Sequence, residues 1–304
     1  MKSRAVVVML AIGCIMAAFI GVLWLSDARQ EWRVSDEGLL EYSTPMPEFQ
    51  ITPVETSNAS ALYEVKFDSR GTEVAGLLLV PQAKPGAKSP GIVLLPGATV
   101  TKEKEQGLAK YLCSLGYASL TIDQRNLGGI EVSGDLVKFS KGDEPVEYEM
   151  VHDALAAAEV LRNQPEIDPK RIIYAGESNG GRFAIIACAL DPSARGVLAI
   201  STCGYGTDAA IASQGMTDPV LIRFYRSIDP DSYLIKIPPR RLAMIHSQND
   251  TVIPLNNANQ TYALARQPKK DMHFVGCAKH GYCTQMNPFI EKELALMSSG
   301  SIPD

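Results

Sequence analysis

The chain has 304 residues, 46% of them apolar and 21% charged, with a net charge of −5 at pH 7. A chain of this size and composition can bury a substantial core without a metal or a disulfide. Basic residues are nowhere concentrated enough to form a nucleic-acid surface, so that class of partner is excluded.

Residues 5–25 carry no charge and are almost wholly apolar; Lys2 and Arg4 precede them, and Asp27, Arg29, Glu31 and Arg33 follow. The run exceeds the roughly 7–15 apolar residues of a signal peptide. It is long enough to cross a bilayer core of about 30 Å at about 1.5 Å per residue. Length thus favours an uncleaved signal-anchor: residues 1–4 in the cytoplasm, 5–25 as a transmembrane helix with the lipid bilayer as partner, and the remainder outside. The location that follows is the cell membrane, single-pass, with the catalytic domain facing outward. Two alternatives stay open: cleavage near Ser26-Asp27-Ala28, which gives a secreted protein, and lipidation at Cys14.

Residues 26–60 are rich in Pro, Glu, Ser and Thr and read as a tether with at most one short element. An α/β domain is expected over 61–304. Strands are predicted at Tyr63–Phe67 and Val74–Val80, turning at Arg70-Gly71. Gly91–Leu95 is a short continuous apolar run, as in a strand buried on both faces. Helix and strand then alternate: a helix over Lys102–Leu115, a strand at Tyr117–Ile122, a long polar loop over Asp123–Pro145 and a helix over Glu147–Arg162. Arg171–Ala175 is a strand and Gly181–Leu190 a helix. Gly196–Ser201, Arg241–His246 and Asp271–Val275 are strands, and Leu255–Arg266 and Asn287–Met297 helices. Repeated βα units imply a mostly parallel sheet with helices on both faces, whose sites form at the carboxyl ends of strands. Residues 204–239 interrupt the alternation and are read as a cap-like insertion of helical pieces.

Gly176-Glu177-Ser178-Asn179-Gly180 follows the Arg171–Ala175 strand directly. A strand that stops at Gly-x-Ser-x-Gly and restarts as a helix exposes its serine hydroxyl on a strained turn. Such a hydroxyl needs a histidine base steadied by a carboxylate. Of the four histidines, His280 alone combines an exposed loop with the cleft side of the sheet; His246 is the runner-up, suited to a supporting hydrogen bond, and His273 suits sheet packing. Asp250, just past the Arg241–His246 strand, is the expected acid. The order Ser178, Asp250, His280 is the one this fold class uses. The expected oxyanion donors are the N–H groups of Asn179, at a helix start, and of Ala98, in the loop after Gly91–Leu95. Thr99, Thr101 and Tyr205 are candidate pocket residues. Asp123 and Arg125 are read as structural, with Asp123 fixing its loop and Arg125 paired to an acid. Cys277 and Cys283 bracket His280 and are either bridged or free thiols. The spacing offers no zinc site, and the chemistry requires no cofactor.

Leu94-Leu95-Pro96-Gly97, Asp123-Gln124-Arg125-Asn126-Leu127-Gly128, Gly176–Gly181, His246–Pro254 and Lys279-His280-Gly281 resemble the successive landmarks of the α/β-hydrolase superfamily. The branch they most resemble holds dienelactone-hydrolase-like esterases and prolyl-oligopeptidase-like peptidases. The resemblance covers Tyr63 to Met297. It implies Ser178, Asp250 and His280 as the triad and Asn179 and Ala98 as the oxyanion hole. It departs from the usual pattern where Pro96-Gly97 and His246-Ser247 replace His-Gly pairs. The expected function is an extracytoplasmic serine hydrolase cleaving small carboxylic esters through an acyl-enzyme. A serine exopeptidase or amidase is the alternative within enzymes, and an anchored binding protein the alternative outside them.

Overall fold

The computed structural model describes residues 32–299 apart from 85, 126–128, 130 and 267. Eleven described strands form a two-stranded ribbon, β1 (Trp32–Val34) with β2 (Leu40–Tyr42), and a nine-stranded sheet. The sheet comprises β3 (Phe49–Thr56), β4 (Ser60–Ser69), β5 (Thr72–Pro81), β6 (Ser89–Leu95), β7 (Ala118–Ile122), β8 (Ile167–Glu177), β9 (Gly196–Ile200), β10 (Arg241–Ser247) and β11 (Lys270–Val275). Their order across the sheet is β11-β10-β9-β8-β6-β7-β5-β4-β3. β6 to β11 are mutually parallel, while β3, β4 and β5 run antiparallel at one end.

All seven residues of β6 and all five of β9 are buried, as continuous apolar runs require when helices cover both faces. Ile92, Val93 and Leu94 are completely buried, and each such side chain is worth roughly 1.5–3 kcal/mol of transfer free energy. The covering helices are α1 (Gln106–Ser114), α2 (Val132–Lys141), α3 (Val146–Arg162), α4 (Asn179–Leu190), α5 (Thr207–Gln214), α6 (Pro219–Ile228), α7 (Leu255–Leu264) and α8 (Asn287–Ser299). After β6 the chain lays β7 on one side, then returns to lay β8 on the other. The direction of winding therefore reverses between β6 and β8, and a crevice opens there at the carboxyl ends.

Two stretches expected to lack regular structure are ordered. Within the stretch read as a tether, residues 32–56 supply β1, β2 and β3. Their apolar residues are too few for a helical period, but Trp32, Val34 and Leu40 are buried against the domain. Trp32 packs edge-on to Tyr148 and beside Phe139, and the Tyr233 hydroxyl oxygen accepts from the Leu40 N–H at 2.7 Å. β3 is one of the sheet's two edge strands, β11 being the other, and its register with β4 slips between Pro53 and Glu55. The second stretch, the polar loop after β7, contains α2. Its Glu131 side chain accepts from Gly134 N–H, and Gly142 ends it in the left-handed region. Asp135 of α2 is buried, and its two oxygens accept from the N–H groups of Val146 and Glu147, both at 2.9 Å. One helix thereby caps the next, whose own cap position holds Pro145.

The expected transmembrane helix is corrected. Among the described residues no helix is long and apolar enough to cross a membrane. Residues 5–25, on which that expectation rested, lie outside the described residues. Hydropathy and length alone carried it. The bilayer as a partner and a single-pass, outward-facing membrane location fall with it.

Candidate active site

Glycine makes the turn at Ser178 possible. A Cβ on Gly180 would overlap the carbonyl oxygens of Leu95 and Pro96, and one on Gly176 would overlap the Gly180 carbonyl. The start of α4 therefore lies directly on the backbone that leaves β6. Ser178 itself sits at φ 52° and ψ −118°, a positive-φ conformation rare for a residue with a side chain. Among the described residues four non-glycines have positive φ, and three of them, Thr99, Ser178 and Ser201, lie just past β6, β8 and β9. Backbone strain thus gathers on one rim of the sheet, where functional sites concentrate it. Alanine at an ordinary helical glycine gains up to about 1 kcal/mol. At Gly180 the carbonyl clash wins, and Gly180→Ala should instead destabilise the protein by about 1–3 kcal/mol or more. Denaturant unfolding measures this, and an unchanged midpoint would contradict the close approach.

The loop 96–99 lies beside the serine. A Cβ on Gly97 would come within 3.5 Å of Ser178 Cβ. Buried Gln124 fixes the loop by donating from Nε2 to the Pro96 carbonyl at 2.7 Å. Lys102 N–H and Nζ donate to the Asp123 carboxylate at 2.9 and 2.6 Å. Arg125 is paired with Asp153 at 2.7 Å and Glu149 at 2.9 Å. Ala98 is half-buried in this loop, and Asn179 is 3% exposed at the first position of α4, directly after the serine.

Asp250 and His280 meet. The Asp250 Oδ2 to His280 Nδ1 distance is 2.8 Å, with the carboxylate buried and the ring partly open. Asp250 Oδ1 accepts the N–H groups of Val252 and Ile253 at 2.9 Å each. Burial pushes this carboxyl up, but the Ile253 N–H, the His280 ring and the Val252 N–H together outweigh it and hold it below its ordinary value. An ionised carboxylate only accepts, so Nδ1 carries the hydrogen of this bond, and in the neutral ring the lone pair is then on Nε2. Ser178 Oγ makes no hydrogen bond to the ring in this structure. The two are tied through their neighbours, because Glu177 Oε2 accepts Tyr282 N–H at 3.0 Å. The His280 loop also carries a Cys277–Cys283 disulfide, so the two sulfurs left open by sequence are bonded. Cys113, Cys188 and Cys203 are free.

The other histidines have separate partners. His246 is 1% exposed; its Nε2 lies 2.9 Å from the Ile253 carbonyl and 3.6 Å from Asp250 Oδ2. It supports the loop that bears the acid. His273 bonds Glu293 at 2.8 Å and stacks on Phe289. His152 bonds Ser69 at 2.8 Å, and burial followed by the Arg70 and Arg125 charges pushes its ring down to about 4. Asp271, His273 and Glu293 form the described cluster with metal-ligand spacing, but Arg241 already pairs with both acids.

Arg182, missed by sequence reasoning, anchors the start of α4. It is 4% exposed and donates to Asn179 Oδ1 at 2.5 Å, Glu147 at 2.7 Å and the Ile228 carbonyl at 3.0 Å. A lone arginine in an otherwise apolar helix was the available signal. Its guanidinium lies 4.1 Å from the Tyr205 ring centre. Tyr205 in turn lines a pocket of about 350 Å³, with Val132, Ile211, Met216, Tyr225 and Ile228 supplying much of the apolar wall.

A family model described as acetyl xylan esterase (AXE1) matches residues 32–233, more than half of the chain. The chain belongs to the acetyl xylan esterase (AXE1) family. The description of that family is of an esterase. The match takes in Ser178 and the 96–99 loop, and Asp250 and His280 lie beyond it. Acetyl xylan esterase 1 from Thermoanaerobacterium sp. JW/SL YS485 superposes with a TM-score of 0.67 at 17% identity, over 84% of this chain and 89% of that one. The acylaminoacyl peptidase of Pyrococcus horikoshii gives 0.59 at 20% identity, over 82% of this chain and 44% of that one. These two likenesses speak to the fold. Among curated relatives, YfhR of Escherichia coli (strain K12) is 29% identical over 133 residues, 43% of this chain. The chain covers 45% of that relative's length. Rv2307c of Mycobacterium tuberculosis (strain ATCC 25618 / H37Rv) is 24% identical over 277 residues, 88% of this chain and 86% of that relative.

Proposed function

We propose that the protein deacylates small carboxylic esters, with Ser178 as nucleophile, His280 as general base and acid, and Asp250 as the group that orients and stabilises the imidazolium. The observation that carries this reading is the 2.8 Å Asp250–His280 contact, on a loop tied to the residue before a serine in a strained turn. Nε2 of His280 takes the Ser178 proton as Oγ attacks the ester carbonyl. The Asn179 and Ala98 N–H groups hold the resulting oxyanion. The imidazolium then protonates the departing alkoxide, and the freed alcohol leaves an acyl-enzyme. Water attacks next, giving its proton to His280; Ser178 recovers that proton as the carboxylic acid leaves.

The family description points to acetyl groups on carbohydrate hydroxyls as the first substrates to try. The pocket beside Tyr205 suits a small to medium substituent. A second reading, an exopeptidase or amidase of the prolyl-oligopeptidase-like branch, is favoured by the fold likeness to the P. horikoshii acylaminoacyl peptidase. The same triad serves both, since only the leaving group differs. The deciding measurement is kcat/KM on p-nitrophenyl acetate, an acetylated xylooligosaccharide and an N-acetyl-aminoacyl p-nitroanilide. Faster turnover of the two esters supports the first reading, and faster turnover of the anilide the second. Turnover of none, with no fluorophosphonate labelling of Ser178, overturns both.

A further inference from the structure

Two carboxyl groups under the His280 loop have no part in the chemistry above. Glu177 ends β8, and its Oε2 accepts the Tyr282 N–H at 3.0 Å. Gly281, at φ 82°, approaches it so closely that a Cβ would stand 2.6 Å from the same oxygen. Glu105 stands at the start of α1, is 5% exposed, neighbours Glu177, and leaves its Oε1 buried without a hydrogen-bond partner.

We propose that Glu177, braced by Glu105, is a positioning residue for His280: its carboxylate holds the loop that carries the ring. The inference rests on the role given to His280 above. Burying one carboxyl group beside another disfavours ionising both, because repulsion adds to lost hydration. One proton between them removes the conflict. It turns Glu105 into a donor toward Glu177 and leaves a Glu177 oxygen for the Tyr282 N–H. Burial, then the Glu177 charge and the shared hydrogen bond, push Glu105 up to about 10, with Lys279 pulling the other way. Lys279, His280 and Tyr282 of the loop, and Tyr111 of α1 stacked on Tyr282, are the other titratable groups on this side. The loop is thus gripped twice, by Glu177 on its backbone and by the Cys277–Cys283 bridge. A merely structural acid pair would stabilise the fold without setting the ring's place beside Ser178.

The sign of the pH dependence follows from the raised value. Between about 4.5 and about 10 the folded chain keeps a proton on Glu105 that the unfolded chain releases. The stability this group contributes is complete below that window and is lost as pH rises through it. The folding constant falls by up to about tenfold per pH unit on this account. Above the window two adjacent carboxylates repel and the grip on Tyr282 loosens.

Three variants test the idea in the full chain. Glu105→Gln keeps an N–H donor toward Glu177 with no proton to lose. It should flatten the fall in stability with pH and move the alkaline limb of kcat upward by at least about one pH unit. Glu177→Ala should lower kcat by about 10- to 100-fold with KM little changed, as expected for a misplaced base. Glu177→Gln, which can still accept from Tyr282, should recover most of that loss. A Glu105→Gln protein with the wild-type stability slope overturns the shared proton. A Glu177→Ala protein with wild-type kcat, or one that Glu177→Gln does not improve upon, overturns the positioning role. The stability slope needs no turnover, so it decides the acid pair even if the wild type hydrolyses no ester, a result that would instead remove the functional reading.

Discussion

Replacing Ser178 with alanine should lower kcat for ester hydrolysis by on the order of 10⁶-fold and leave unfolding cooperative. The size of the loss follows from what is removed. The N–H groups around the serine and the Asp250–His280 pair all remain, but no oxygen is left to form the acyl bond. The residual rate comes only from substrate held near polarising donors, which typically leaves about 10³–10⁴ over water. Stability should barely change. Alanine keeps the Cβ, so the backbone cost of φ 52° is the same. The Ser178 N–H still donates to the Ile200 carbonyl at 2.8 Å, and Thr202 Oγ1 still donates to the Ser178 carbonyl at 2.6 Å. Steady-state hydrolysis, fluorophosphonate labelling and denaturant unfolding on one preparation check all three statements. Purified Ser178→Ala that still turns over esters would remove this serine from the mechanism.

Asp250→Asn should lower kcat by about 10⁴-fold with KM near wild type. The Val252 and Ile253 N–H groups both point at one Asp250 oxygen, so the amide oxygen takes that side. The amide NH₂ then faces His280 Nδ1 and donates to it. That forces the ring hydrogen onto Nε2, the atom proposed to accept the serine proton. The ring stays in place and is in the wrong tautomer. The variant also changes the acid end of the stability profile. In the folded chain the Asp250 carboxyl lies below its ordinary 3.8. Its contribution is present above that value and lost as pH falls through the folded one. The substituted amide cannot titrate, so this portion of acid destabilisation should be missing from the variant. Equal kcat values for the two proteins would mean that the acid does not set the tautomer.

The parallel core of the sheet was legible because buried strands announce themselves. Runs such as Gly91–Leu95 and Gly196–Ile200 have no polar face to confuse the period, and each is followed by small or polar residues where the chain leaves the sheet. The candidate residues were legible from chain order, since Ser178, Asp250 and His280 each stand a few residues past a parallel strand, although the one before His280 lies at the sheet edge and carries Lys270, Asp271 and His273. β1 and β2 were hidden because three-residue strands carry no period, and their burial comes from residues far along the chain, Phe139, Tyr148 and Tyr233 among them. α2 was hidden because its sequence, with Gly134 and two serines, has weak helix propensity; Glu131, Gly142 and the shared Asp135 secure it instead. Glu105 sits in Lys102-Glu103-Lys104-Glu105, which reads as a solvated run. Only the fold turns one of those acids inward.

One of the sheet's two edges, β3, resists further growth on its side. Pro53 has no N–H to offer a neighbour, and the slip before Glu55 breaks the even spacing that an added strand would need to follow. A second molecule trying to extend the array along β3 meets a missing donor, a kink and a negative charge in succession. Resistance to edge-to-edge pairing on this side is thereby written into a stretch whose composition suggests only slack chain.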